Sequence, residues 1–199
     1  MPRLLVLAAL TIAVSGSAHA APRPALRLSP ELQPLSFLVG HWATEKSGKT
    51  ASGTTSGRSA FSIETGGATL LRRDHSRLKG ADGKPAGEMD QIMLIYSEGG
   101  HLRADYSDGV HVIHYAKVEV KPGRSVVFGA EGPVGAPRFQ LAYDLTSVDH
   151  LSVRFLGAAP GQAEYASIAE GVLIRKPPRT RHGKARATAA AQASTPAQP

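Results

Sequence analysis

Residues 58–175 break into short runs of alternating apolar and polar side chains, divided by turn formers, with no helix-length stretch of 3.6-residue periodicity. The alternation predicts strands near 58–64, 68–78, 88–97, 100–106, 110–119, 124–130, 138–146, 149–156 and 163–175, with a further strand at 41–46. Gly66-Gly67, Gly99-Gly100, Ser107-Asp108-Gly109, Pro122-Gly123 and Pro160-Gly161 punctuate them. Connections this short make successive strands antiparallel. About ten strands with no covering helix would leave exposed edges, and closure removes edges most simply. The expected fold is therefore all-β: a single antiparallel up-and-down β-barrel. A two-sheet sandwich is the competing solution.

The remaining segments differ in kind. Arg3, the apolar run Leu4 to Val14 and the small-x-small sequence Ala18-His19-Ala20 read as a signal peptide over 1–20, cleaved after Ala20. The run is shorter than the roughly 18–20 residues that cross a bilayer. The expected location is periplasmic or secreted. With no Cys, the fold has no disulfide and must stand on its core. Residues 21–31 form a Pro-rich extended lead-in. Ser29-Pro30-Glu31-Leu32 then opens a short N-terminal helical turn, with Leu35, Phe37 and Leu38 to plug one barrel end. The barrel domain is expected over 32–175, with residues 47–57, rich in Gly, Ser and Thr, as a flexible rim loop. Residues 176–199 read as a basic, Ala/Pro-rich disordered tail.

The formal charge of +7 belongs to the ends. Residues 31–174 hold 14 Lys or Arg against all 16 acidic residues, so the barrel is near −2. The tail could touch anionic envelope surfaces weakly; a nucleic-acid partner is not expected for an exported chain. The oligomeric state is not written in the sequence.

Phe37-Leu38-Val39-Gly40-His41-Trp42 resembles the opening of calycin-like (lipocalin-like) bacterial barrel families, in which a helical turn ends in Leu-x-Gly-x-Trp and a strand begins. Arg103 to Tyr106, Gly109 to Tyr115 and Pro137 to Tyr143 resemble small uncharacterised exported members of that group. There is a more distant similarity to nitrobindin-like barrels, whose heme iron is bound by a histidine on a late strand. The late strands here hold only His150, at a turn, so heme rests on nothing beyond His111 or His114, and no cofactor is expected.

Alternation in 110–118 puts Val110, Val112, His114, Ala116 and Val118 on the more apolar face, which predicts His114 as the one polar group on an inward stripe. Tyr106, Tyr143, Leu94, Phe128 and Phe155 are the other expected ligand-lining residues. In 68–78, Leu70, Arg72, Asp74, Ser76 and Leu78 share a face, a pattern that fits either an interior polar network or a projecting edge strand. His111 and His114 point to opposite faces of a strand and cannot share a metal; no Gly-x-Ser-x-Gly elbow or Cys nucleophile exists. No catalytic or metal-binding residue is therefore assigned. The function expected is binding or carriage of a small hydrophobic or amphiphilic molecule inside the barrel. The alternatives are a structural or interaction protein with a solid barrel and a basic contact tail, and a small-molecule hydrolase or isomerase using His114.

Overall fold

The computed structural model describes residues 26–130, 132–133 and 135–177. The signal peptide and most of the basic tail read from the sequence lie outside the described residues.

A 3-10 turn, Gln33–Leu38, leads into twelve strands: β1 Gly40–Thr44, β2 Gly48–Thr50, β3 Gly53–Glu64, β4 Thr69–Gly80, β5 Pro85–Glu98, β6 His101–Ser107, β7 Val112–Tyr115, β8 Lys117–Lys121, β9 Ser125–Ala130, β10 Arg138–Ser147, β11 His150–Ala158 and β12 Ala166–Lys176. Every pairing is antiparallel, and neighbours in sequence are neighbours in space from β3 to β7 and from β8 to β12. The first strand, β1, joins the two arms by pairing with β3 on one edge and β12 on the other. An up-and-down barrel results.

Two segments depart from the sequence reading. Residues 47–57 are not a flexible loop. Strand β2 continues the line of β1 and likewise pairs with both β12 and β3, and β3 begins at Gly53. Backbone pairing on two edges supplies what the Gly, Ser and Thr side chains lack. The expected strand over 110–119 is two strands, broken at Ala116. Along one unbroken strand residues 113, 115, 117 and 119 would share a face. The break shifts the phase by one residue, so Ile113 and Tyr115 pack on the core before it, and Val118 and Val120 after it. At this seam Arg103 of β6 donates to the Ala116 carbonyl, and among the described residues no backbone ladder joins β7 to β8.

The interior is layered by register. Ile63, Leu70, Ile95, Ala104 and Tyr115 stand side by side across β3 to β7. The next row is Phe61, Arg72, Met93, Tyr106 and Ile113, and above it come Ser59, Asp74 and Gln91, then Gly57, Ser76 and Met89. Side chains are thus large and apolar at the end of the barrel where β1 begins, and small or polar toward the other.

The 3-10 turn plugs the apolar end. Leu32, Leu35 and Leu38 are fully buried, and Trp42 is buried with them. The Trp42 indole Nε1 donates to the Leu38 carbonyl at 2.8 Å, satisfying the one polar atom the ring takes inside. Arg175 of β12 lies 4.1 Å from the Trp42 ring centre and donates to the carbonyls of Val39 (2.8 Å) and Phe37 (3.0 Å). These bonds satisfy carbonyls at the end of the turn that have no intrahelical partner.

Candidate functional site: a half-open barrel interior

Above the plugged apolar end the barrel is not filled. A cavity of about 380 Å³ lies between β3, β4, β5, β10, β11 and β12, opening at the end opposite the 3-10 plug. Its size falls in the range of small-molecule sites, which begin near 300 Å³. The cause is the sequence of inward positions. Gly57, Ser59 and Ser76 stand where larger side chains would meet, and Leu78, Met89, Val153, Phe155 and Ile168 wall the space with apolar surface. Gly57 is fixed for a second reason: a Cβ there would run into the His75 carbonyl of the paired strand.

A polar network crosses the cavity floor, centred on Arg72, which is 4% exposed. Its Nη2 donates to Asp74 Oδ2 at 2.7 Å and to Gln91 Oε1 at 2.9 Å. Its Nη1 donates to the Tyr143 hydroxyl at 2.8 Å and approaches Met93 Sδ at 3.6 Å. The Ser59 hydroxyl donates to the second Asp74 oxygen at 2.5 Å. The Tyr106 ring lies beside the guanidinium, 5.8 Å from Cζ to the ring centre. Burial is the largest single influence and opposes the charge on Arg72, but the surrounding oxygens, that of Asp74 foremost and those of Tyr143 and Tyr115 with it, together outweigh it and hold Arg72 more firmly protonated than in water. Burial likewise pushes the hydroxyls of Tyr143 and Tyr115 well above the usual tyrosine range, and that of Tyr106 to about 12. All three stay protonated at neutral pH.

Aromatic edges set this floor. Phe61 meets Tyr143 at 5.7 Å, Tyr143 meets Phe128 at 6.5 Å and Phe128 meets Tyr115 at 6.0 Å, all edge-on. Such contacts hold the hydroxyl-bearing rings in fixed orientation.

At the rim, Asp108 closes the turn after β6. Its Oδ1 accepts from the backbone N–H groups of His111 (2.7 Å) and Val110 (2.9 Å), and the Tyr106 hydroxyl reaches Oδ2 at 3.4 Å. The His111 backbone bond is the largest cause that lowers the Asp108 carboxyl to about 2. A group lowered on folding contributes stability that is complete above its unfolded pKa, near 3.9, and disappears as pH falls through the folded value. The side-chain carboxyl carbon of Asp108 should accordingly titrate in NMR with a midpoint near 2. A midpoint near that of a free aspartate would mean the turn is not held by these bonds.

Of the residues singled out from sequence, Tyr106, Tyr143 and Phe155 line the cavity together. Phe128 sits in the closed core below it, fully buried against Tyr143 and Tyr115. His114 is corrected: it faces outward, its side chain 77% exposed, with Nδ1 2.7 Å from Asp105 Oδ1. The stripe that suggested otherwise is exposed as well, Val110 at 83% and Val112 at 62%. Its neighbours decide the matter: Tyr115 and Ile113 pair with the inward Ala104 and Tyr106, so His114 must turn out. Leu94 is corrected on the same ground. Met93 takes the inward place between Arg72 and Tyr106, and Leu94 points out beside Asp105.

Sequence reasoning left Arg72, Gln91 and Ser59 unassigned. The available signal was the shared face of Leu70, Arg72, Asp74, Ser76 and Leu78. Among the described residues no histidine lines the cavity, and no group of three His, Asp or Glu converges as metal ligands would.

The sequence matches no known family profile, and no curated protein is similar to it. Several solved structures align with it. The structure of EF1p2_mFAP2b bound to DFHBI is 14% identical, with 72% of this chain and 98% of that one covered at a TM-score of 0.40. A redesigned β-barrel, b11L5F_LGL, is 17% identical over 73% of this chain and 96% of its own, at 0.34. A protein of unknown function from the DUF3598 family of Nostoc punctiforme PCC 73102 is 11% identical over 75% and 100%, at 0.30.

Proposed function

We propose that this protein binds a small apolar or amphiphilic molecule in the open half of its barrel, and that it does so in the periplasm or outside the cell. The observation that supports this most is the unfilled upper interior, walled by Leu78, Met89, Val153, Phe155 and Ile168 over a polar floor. Interiors close-pack by default, so a row of small inward residues facing apolar walls is a shape that invites a guest. Taking about 200 Å² of a ligand's apolar surface out of water contributes roughly 5 kcal/mol before association costs. That is enough for useful affinity with no catalytic group.

One observation weighs against each alternative. A solid barrel acting through its tail requires a filled lumen. A hydrolase or isomerase using His114 requires that ring inside, and it lies on the outer face, paired with Asp105.

The test is a titration with N-phenyl-1-naphthylamine, an uncharged apolar fluorophore, on wild type and on Ser76→Phe. Ser76 sits among the small inward residues, so a phenyl group there occupies the cavity without touching the plugged end. The expected result is one bound fluorophore per chain in wild type and at least a tenfold weaker association in the variant, with far-UV circular dichroism unchanged. Equal binding by both proteins would place the fluorophore on the outer surface and end the proposal.

A further inference from the structure

We infer that the barrel selects guests with an uncharged hydrogen-bonding head group, such as an alcohol, ketone or amide, and discriminates against carboxylates despite the arginine at its floor. The inference rests on the cavity being a binding site, as proposed above.

A buried arginine facing a cavity suggests an anion site at first sight. The geometry here says otherwise. A guanidinium has five N–H bonds. The two on Nη2 are taken by Asp74 and Gln91, and the two on Nη1 by Tyr143 and Met93. The fifth, on Nε, is sealed from solvent and has no acceptor. An incoming carboxylate could reach Arg72 only by displacing a partner that already satisfies it.

Charge points the same way. Asp74 neutralises Arg72 at contact distance, so the floor carries no net charge for an anion to balance. The other charged side chains around the cavity are Arg58, exposed at the rim, and the carboxylates Asp108 and Glu170. Two cations thus stand against three carboxylates, and a second carboxylate beside Asp74 would meet repulsion in a low-dielectric space. A cationic head gains little either, because Asp74 is already bonded to both Arg72 and Ser59.

What the floor offers is neutral donors. Tyr143 accepts from Arg72, which leaves its own O–H proton to give. Gln91 accepts through Oε1, which leaves its amide N–H groups. The Tyr115 hydroxyl also lines the space. These donors suit a single neutral acceptor oxygen at the end of an apolar chain.

The experiment compares octan-1-ol, octanamide, octanoate and octylammonium by isothermal titration calorimetry on the wild-type protein at neutral pH. The chains are alike, so only the head varies. Octan-1-ol and octanamide are expected to bind at least tenfold more tightly than either ion. Octanoate or octylammonium binding as well as the alcohol would overturn the inference while leaving the cavity a binding site. If none of the four binds and N-phenyl-1-naphthylamine also fails, the binding reading itself falls, and this inference with it. Asp74→Asn gives a second arm. It removes the neutralising charge but keeps an acceptor for Arg72, and should improve octanoate binding at least tenfold. A folded variant with unchanged preference would overturn the role given to Asp74; if the variant does not fold, the wild-type series decides alone.

Discussion

Replacing Asp74 by alanine is expected to lower the melting temperature by roughly 6–12 °C. Breaking a buried ion pair from one side leaves the other charge without compensation, which typically costs about 3–5 kcal/mol. Arg72 is the residue left behind, 4% exposed. Its remaining partners, Gln91, Tyr143 and Met93, are neutral and cannot balance it. Asp74 itself is reached from the cavity, its side chain 16% exposed, so the lower end of that range applies. At this chain length about 1 kcal/mol moves the midpoint by roughly 2–4 °C. The double variant Arg72→Met/Asp74→Ala should recover at least half of the loss, because it removes the stranded charge and keeps the packing against Tyr106. Thermal unfolding followed by circular dichroism measures all three proteins. If the single variant loses less than about 1 kcal/mol, water entering through the cavity hydrates Arg72 and the pair is not a structural element.

Trp42→Ala should be comparably severe at the other end of the barrel. Truncating a fully buried large aromatic costs about 3–5 kcal/mol, through lost burial and the void left behind. Here the change also orphans the Leu38 carbonyl and removes the ring that Arg175 covers. The 3-10 plug would lose its contact with β1, so Leu35 and Leu38 should become more accessible. Trp42→Phe keeps most of the packing and should cost less than half as much. Trp42 is the only tryptophan, so urea unfolding of the variants must be followed by far-UV circular dichroism. A midpoint near wild type for Trp42→Ala would show that the plug seals the barrel without it.

Where a sequence pattern is local, the reading from sequence and the fold agree. Strands near 68–78, 88–97 and 138–146 coincide with β4, β5 and β10 to within a few residues, because alternation and flanking turn formers are written in adjacent positions. The helical turn whose Leu35, Phe37 and Leu38 plug one barrel end was legible for the same reason. Residues 47–57 were misread because their pairing lies with β12 and β3 rather than in their own side chains; the misplaced site residues are a question of phase. Val110 and Val112 make an apolar stripe with His114, and nothing in those residues reveals that the strand breaks at Ala116. The orientation comes from Ala104 and Tyr106 on the neighbouring strand. Leu94 and Met93 are equally apolar, and only pairing across to Arg72 and Tyr106 selects Met93 for the interior. The polar floor was half legible. One face of β4 combines Arg72 and Asp74 with Leu70 and Leu78, but Gln91 joins it through the register with the next strand and Tyr143 from a strand 71 residues further along.

Because β1 is held on one side by β12, the barrel cannot shut until residues 166–176 are present. The contacts that lock the first helical turn to β12 join residues 138 and 136 positions apart. Long-separation contacts demand that chain entropy be lost before they contribute, and folds rich in them reach the native state in milliseconds to seconds rather than microseconds. During that interval the edge of β1 that later receives β12 is bare. A chain emerging gradually from a ribosome would therefore pass through an open-edged intermediate, and its yield should depend on whatever shields that edge before residues 166–176 arrive.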